Sequence, residues 1–161
     1  MDSSANRKYA PDRMVDILHL AIDVTPDFVK RTVAAKVTLK FKPIAKPLAE
    51  LKLDGVDLLV SNATGTETIA SYQATREHVI LTFATPIPAD KEASVTITYT
   101  CEPRQGFYFR TEAMGYPKGD DHVFTQGEAN EARHWYPCFD EPNEKFTSEV
   151  TAHVPEGMIA L

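Results

Sequence analysis

The chain of 161 residues has little of what marks several specialised classes of protein. It has only two cysteines, Cys101 and Cys138, which lie far apart and belong to no paired motif. We therefore expect reduced, partly buried thiols, with a disulfide as the alternative. The N-terminus is polar and shows no secretory signal, which favours a cytoplasmic location. No apolar run approaches the roughly 18 residues that a membrane span needs, so no membrane partner is expected.

Positive charge is also scarce. The chain has 17 Lys and Arg against 23 Asp and Glu, a formal net charge of −6. This sign is unfavourable for binding the phosphates of nucleic acid, so we expect no nucleic-acid partner. Residues 101–161 carry 5 basic and 11 acidic side chains, and the whole excess lies there. The excess is either a solvated acidic face or a functional negative potential.

Alternation of apolar and polar residues is the main pattern along the chain. It predicts a long antiparallel hairpin from strands at 16–24 and 29–41, reversed by the turn at 25–27. Shorter strands are predicted at 51–53, 57–60, 68–72, 79–83 and 95–101, with Gly and Pro mostly between them. The side chains expected to point inward are Val79, Leu81, Phe83, Val95, Ile97, Tyr99 and Cys101.

This spacing of strands predicts one all-β domain, an antiparallel sandwich of curved sheets spanning residues 1–161. One short helix is expected near residues 128–135, because good helix formers precede Pro137. The strand period resumes at Phe146 and runs toward the C-terminus, where the pattern predicts the start of a further strand. We therefore expect a domain cut before its natural end.

No pattern in the sequence predicts a complete catalytic or metal site. The five histidines are separated from one another by more than five residues, and no Gly-rich phosphate loop or nucleophile motif occurs. For His19 and His153, each on the face of a predicted strand, we expect structural roles. The chain alone is therefore predicted to lack catalytic residues, metal ligands and a cofactor.

The acidic segment, residues 122–142, carries the candidate binding residues. If residues 122–128 are extended, Gln126 and Glu128 project to the same side and could share a pocket. Gly127 between them would let a ligand approach closely. A carboxylate there suits an ammonium group, since a charge-assisted hydrogen bond is about twice as strong as a neutral one. Alternatively, Glu128 stabilises the N-terminus of the predicted helix by ~0.3–1 kcal/mol.

The acidic segment resembles the N-terminal domain of the M1 family of zinc aminopeptidases, of the aminopeptidase N type. The residues that carry the resemblance are Thr125-Gln126-Gly127-Glu128-Ala129, Ala132-Arg133 and Pro137-Cys138-Phe139-Asp140-Glu141-Pro142. They match the family pattern T-Q-x-E-x-x-x-A-R-x-x-x-P-C-x-D-x-P. Gly106-Phe107-Tyr108 resembles the family's G-x-Y strand, and the stretch from Tyr9 to Phe41 resembles its opening hairpin.

The resemblance implies a saddle-shaped β domain that helps a zinc enzyme remove N-terminal amino acids from peptides. It implies that Glu128 binds the α-amino group of the substrate and that Gln126 lines the pocket for the first side chain. Arg133, Cys138 and Asp140, with Pro137 and Pro142, would be structural support. Zinc is implied only for the parent enzyme, because H-E-x-x-H, the G-x-M-E-N loop and the oxyanion tyrosine of the catalytic domain are missing here.

Two other functions remain open. The first is a non-catalytic scaffold or protein-interaction module of M1-like fold, against which the retained Q-x-E motif argues. The second is an unrelated adhesion or carbohydrate-binding sandwich, which leaves the acidic segment unexplained. The partners expected are peptide N-termini together with the missing catalytic domain. Copies of the chain could also self-associate through the surface that this domain would cover.

Overall fold

The computed structural model describes residues 13–161, within which the chain forms ten β-strands and two short 3-10 helices. Residues 1–12, with Tyr9 and the polar N-terminus, lie outside the described part. The 3-10 helices are Glu112–Met114 and Ala132–His134. The strands are β1 (Val15–Asp27), β2 (Thr32–Pro43), β3 (Leu48–Asp54), β4 (Leu59–Gly65), β5 (Ile69–Ala74), β6 (His78–Ile87), β7 (Ala93–Cys101), β8 (Phe107–Arg110), β9 (His122–Thr125) and β10 (Thr147–Ala152).

The strands form three sheets, which confirms the all-β prediction. A five-stranded sheet has the order β10-β1-β2-β7-β4, a three-stranded sheet the order β3-β6-β5, and β8 pairs with β9. The pairing is antiparallel except at one edge, where β10 runs parallel to β1. No helix within residues 13–161 has the length and apolar character required to cross a bilayer.

The two larger sheets bury one shared core. The ring of Phe41 on β2 lies 6.5 Å from that of Phe83 on β6, measured between centroids. The side chains predicted to point inward on β6 and β7 are all buried, as the period of two requires. They are Val79, Leu81, Phe83, Val95, Ile97, Tyr99 and Cys101.

The opening hairpin is present, but its first strand is longer than predicted and its second strand begins later, at Thr32. β1 continues through Pro26 to Asp27, and the reversal follows at residues 28–31 rather than at 25–27. The Asp27 carboxylate accepts hydrogen bonds from the backbone N–H groups of Val29 (3.0 Å) and Lys30 (2.9 Å). The bond from Lys30 is the main reason that the pKa of Asp27 is lowered. Asp27 therefore organises the residues after it, which displaces the turn toward the C-terminus.

The hairpin of β8 and β9 brings the acidic segment to the core. Phe107 and Phe109 of β8 are buried, while Tyr108 and Arg110 point to the opposite face. Tyr108 pairs with Phe124 of β9, and their rings stack with 5.1 Å between centroids. Since β9 ends at Thr125, this hairpin fixes the point from which residues 126–142 depart.

Candidate functional site

Gln126 and Glu128 both lie in the exposed turn that follows β9. The strand ends before Gln126, so the alternation that would place the two side chains on one side does not extend to Glu128. The peptide bond between Glu128 and Ala129 is cis. A Cβ built on Gly127 would meet only the Cβ of Ala132, at 3.9 Å, so the space beside this glycine is open. The binding roles of Gln126 and Glu128 stay predictions.

The helix predicted near 128–135 is reduced to the single 3-10 turn Ala132–His134, preceded by a hydrogen-bonded turn at 128–131. The Asn130 amide donates to the backbone oxygen of Asp140 at 2.9 Å. The backbone N–H of Glu131 donates to the oxygen of Gly127 at 2.9 Å. These contacts fold the segment on itself, and so short a helix has little intrinsic stability in water to oppose them.

Arg133 joins the acidic segment to the end of β3. Its Nε donates to Oδ2 of Asp140 at 3.0 Å, and its Nη1 lies 3.7 Å from Oδ1 of Asp54. Asp140 donates its own N–H to Asp54 at 3.0 Å, which closes the network. Burial lowers the pKa of Arg133, but the bond to Asp140 and the two carboxylate charges outweigh it and the pKa is raised. This guanidinium is therefore committed to structural support, as the resemblance implies.

The backbone of the acidic segment also extends the three-stranded sheet. Cys138 exchanges hydrogen bonds with Asp54, with Asp54 N–H donating at 2.8 Å and Cys138 N–H donating at 3.0 Å. The N–H of Val56 donates to the oxygen of Arg133 at 2.9 Å. These bonds hold residues 133–138 against the end of β3. The position of the turn at 126–131 therefore depends on the attachment of the following residues to the three-stranded sheet.

Trp135 anchors the segment in the core. Its ring lies 5.3 Å from that of Phe107, and its backbone oxygen accepts the Tyr99 hydroxyl at 2.9 Å. The free thiols of Cys101 and Cys138 are both buried, as expected, and Cys101 Sγ lies 3.8 Å from the same oxygen. Burial raises the pKa of Cys101 to about 12 and that of Cys138 well above its ordinary value. Both cysteines are therefore packing groups rather than nucleophiles.

Two histidines contribute side-chain contacts between β1 and the segment formed by β10 and the residue that follows it. His19 Nδ1 lies 2.7 Å from the Thr147 hydroxyl, and His153 Nε2 lies 2.9 Å from Asp23 Oδ1. Within residues 13–161, no group of three or more His, Cys, Asp or Glu side chains is placed to hold a metal ion. The described residues therefore do not fit a zinc site.

A cluster that no sequence pattern indicated, formed by Gly106, Tyr108 and Glu131, is hydrogen-bonded to the backbone of Gln126 and Gly127. Glu131 Oε2 accepts the Tyr108 hydroxyl at 2.5 Å and the Gly106 N–H at 3.3 Å. The bond to Glu131 is the main reason that the pKa of Tyr108 is raised. The oxygen of Gly106 accepts the N–H of Gln126 at 3.0 Å. The G-x-Y pattern at 106–108 was the available signal, but nothing in the sequence linked it to Glu131.

A cavity of about 350 Å³ lies along β8, among Arg31, Glu102, Arg104, Arg110 and Met114. The Arg110 guanidinium sits over several aromatic rings, 5.2 Å from the centroid of Phe124 and 5.4 Å from that of Tyr116. Gln126 and Glu128 are not among the lining residues. The predicted binding pair therefore lies outside this cavity.

The fold and the acidic segment agree with a comparison to known families. The family model of the Peptidase M1 N-terminal domain matches residues 9–161. The chain therefore belongs to the M1 peptidase N-terminal domain family.

Individual relatives are distant and much longer than this chain. Leukotriene A-4 hydrolase of Xenopus laevis is 25% identical over 162 residues, which cover 95% of this chain and 26% of the relative. Aminopeptidase B of Homo sapiens is 24% identical over 173 residues, which cover 92% and 27%. The chain thus spans about a quarter of the length of these relatives.

A solved M1 zinc metallopeptidase from Deinococcus radiodurans has the same fold over 89% of this chain and 33% of its own. Its TM-score is 0.72 and its sequence is 22% identical. Since the identity is low, the likeness of coordinates establishes the fold, while the family model establishes the membership.

Proposed function

We propose that this chain is the substrate-gripping N-terminal domain of a zinc aminopeptidase, in which Glu128 binds the α-amino group of a peptide. Gln126 would line the pocket for the first side chain. The proposal is supported chiefly by the exposure of Glu128, which lies in the segment that carries the resemblance to the family. Two charged side chains of the same segment are engaged in other contacts, Arg133 with Asp140 and Glu131 with Tyr108.

The chemistry follows from charge and position. A protonated peptide N-terminus is a cation, and Glu128 offers it a charge-assisted hydrogen bond. Gly127 carries no side chain, so the substrate backbone can approach the turn closely. Holding the ammonium at one fixed point sets the distance from the peptide end to the bond that is cleaved. The domain would contribute positioning rather than bond breaking.

Hydrolysis itself would be supplied by another part of the protein. The described residues offer no cluster of metal ligands, and the whole sequence has no H-E-x-x-H motif. We therefore propose that residues 1–161 alone do not hydrolyse peptides. Zinc and its ligands would come from a catalytic domain against which this domain docks. The physiological partners of the domain would then be peptide N-termini and that catalytic domain.

The test compares variants of the metal-loaded full-length protein on aminoacyl-coumarin substrates. Because a hydrogen bond to a charged group contributes about 1.5–3 kcal/mol, Glu128→Ala should lower kcat/KM about 10- to 100-fold. Glu50→Ala is the matched control, since Glu50 is an exposed carboxylate on β3. Zinc content should be equal in all variants.

Two results would contradict the proposal. The first is a Glu128→Ala variant as active as the wild type with the same zinc content. The second is a wild-type protein that binds no zinc and cleaves no aminoacyl substrate, which would favour a scaffold of M1-like fold.

A further inference from the structure

The residues around Gln126 and Glu128 form a closed ring of hydrogen bonds. Gln126 N–H donates to the oxygen of Gly106, Gly106 N–H donates to the side chain of Glu131, and Glu131 N–H donates to the oxygen of Gly127. The donor–acceptor distances are 3.0, 3.3 and 2.9 Å. Glu131 thus holds the turn twice, directly through its backbone and indirectly through its carboxylate.

Tyr108 fixes the carboxylate of that ring. Its hydroxyl donates to the same Glu131 oxygen that accepts from Gly106, at 2.5 Å. A hydrogen bond to an ionised carboxylate is about twice as strong as a neutral one. The Tyr108 ring also stacks on Phe124, two residues before Gln126, with an interplanar angle of 21°. The Tyr108 side chain therefore contacts both β9, which leads into the turn, and Glu131, which closes the turn.

Gly106 is the point where this arrangement tolerates no side chain. Its φ is +76°, and a Cβ built on it would collide with the backbone oxygen of Glu131. The segments around Gly106 and Glu131 are therefore in direct contact at this residue. A displacement of Glu131 would be transmitted to Gly106 and from there to Gln126.

We propose that Tyr108 and Glu131 are positioning residues that hold Glu128 and Gln126 where the substrate ammonium docks. This inference rests on the proposed function of Glu128. Neither residue needs to touch the substrate. Their contribution would be to fix the backbone of the turn before substrate arrives, so that less conformational freedom is lost on binding.

The test measures ammonium recognition separately from the rest of binding. The probes are the hydroxamate of the amino acid that the full-length zinc enzyme hydrolyses fastest, and its des-amino analogue. Both bind the metal through the same group, so the ratio of their inhibition constants reports the amino group alone. Glu128→Ala should reduce this ratio about 10- to 100-fold, toward unity.

Tyr108→Phe should reduce the ratio about 3- to 10-fold, since it removes one hydrogen bond that holds the turn. The inhibition constant of the des-amino analogue should not change. Tyr72→Phe is the matched control, because the Tyr72 hydroxyl donates to the backbone oxygen of Ser61 at 3.0 Å, away from the turn. In the Glu128→Ala background, Tyr108→Phe should cause no further reduction.

A pair of Glu131 variants guards against a folding defect in Tyr108→Phe. Glu131→Gln keeps an oxygen that can accept from Gly106 and Tyr108, so it should retain more of the ratio than Glu131→Ala. Suppose that Glu128→Ala brings the ratio of inhibition constants toward unity, while Tyr108→Phe and both Glu131 variants leave it at the wild-type value. The inference is then wrong, and the proposed function stands. If Glu128→Ala itself leaves the ratio unchanged, the proposed function fails, and the inference fails with it.

Discussion

Replacing Gly106 with alanine should destabilise the domain more than the same change at Gly115. Both glycines have positive φ, +76° and +92°. An alanine forced into the left-handed region costs roughly 1–2 kcal/mol at either position. Their surroundings differ, because a Cβ at Gly115 would meet no atom within 4 Å, whereas at Gly106 it would collide with Glu131.

The collision sets the difference between the two variants. To move the Cβ away from the Glu131 oxygen, the chain must break the bonds by which Gly106 holds Glu131 and Gln126. Each bond contributes about 0.5–1.5 kcal/mol, so Gly106→Ala should lose about 1–3 kcal/mol beyond the conformational cost. The total is then about 2–5 kcal/mol for Gly106→Ala, against about 1–2 kcal/mol for Gly115→Ala.

Urea unfolding followed by tryptophan fluorescence measures this difference. Trp135 is the single tryptophan of the chain, and it is buried. Its Cδ1 lies 3.1 Å from the Cβ position built on Gly106. The fluorescence therefore reports the region that the substitution disturbs. Equal free energies of unfolding for the two variants would refute the reasoning, since they would show that Glu131 does not confine Gly106.

Three further predictions concern the support beneath the acidic segment. Cys101 and Cys138 should not react with an aromatic disulfide reagent at pH 8 in the native state but should react on unfolding, because burial raises the pKa of both; rapid native reaction would contradict this. Tyr99→Phe should lower the free energy of urea unfolding by about 0.5–1.5 kcal/mol, because a buried hydrogen bond to a backbone oxygen is lost. Arg133→Met should lower the free energy of urea unfolding by about 1.5–3 kcal/mol, whereas Arg76→Met, at an exposed ion pair, should change it by less than about 0.5 kcal/mol. Equal losses at the two arginines would argue against a stabilising role of the Arg133 network with Asp140 and Asp54.

The strand pattern of the chain could be predicted because it is local. Burial on one face imposes a period of two, which is readable at 29–41, 79–83 and 95–101. The turn of the first hairpin was placed too early because the Asp27 side chain, through its hydrogen bonds to later backbone N–H groups, decides where the chain reverses. The parallel pairing of β1 with β10 joins residues near the two ends of the described chain, and no local pattern reports it.

The candidate site was predicted through its motif and only partly through its geometry. Helix propensity near 128–135 was overridden by contacts to Asp140 and Gly127, which are tertiary or turn interactions that propensity does not contain. The hydrogen bond between Tyr108 and Glu131 joins the G-x-Y pattern at 106–108 to the acidic segment, and neither pattern predicts a contact with the other. Position in the family motif, in contrast, singled out Gln126 and Glu128 directly.

The central claim is that Glu128 receives the amino terminus of a peptide. The most direct measurement is a crystal structure of the full-length protein with a bound peptide or amino acid. The account predicts the substrate nitrogen at hydrogen-bond distance, about 2.7–3.2 Å, from the Glu128 carboxylate. A ligand whose amino group is held by other residues, with Glu128 directed into solvent, would contradict it.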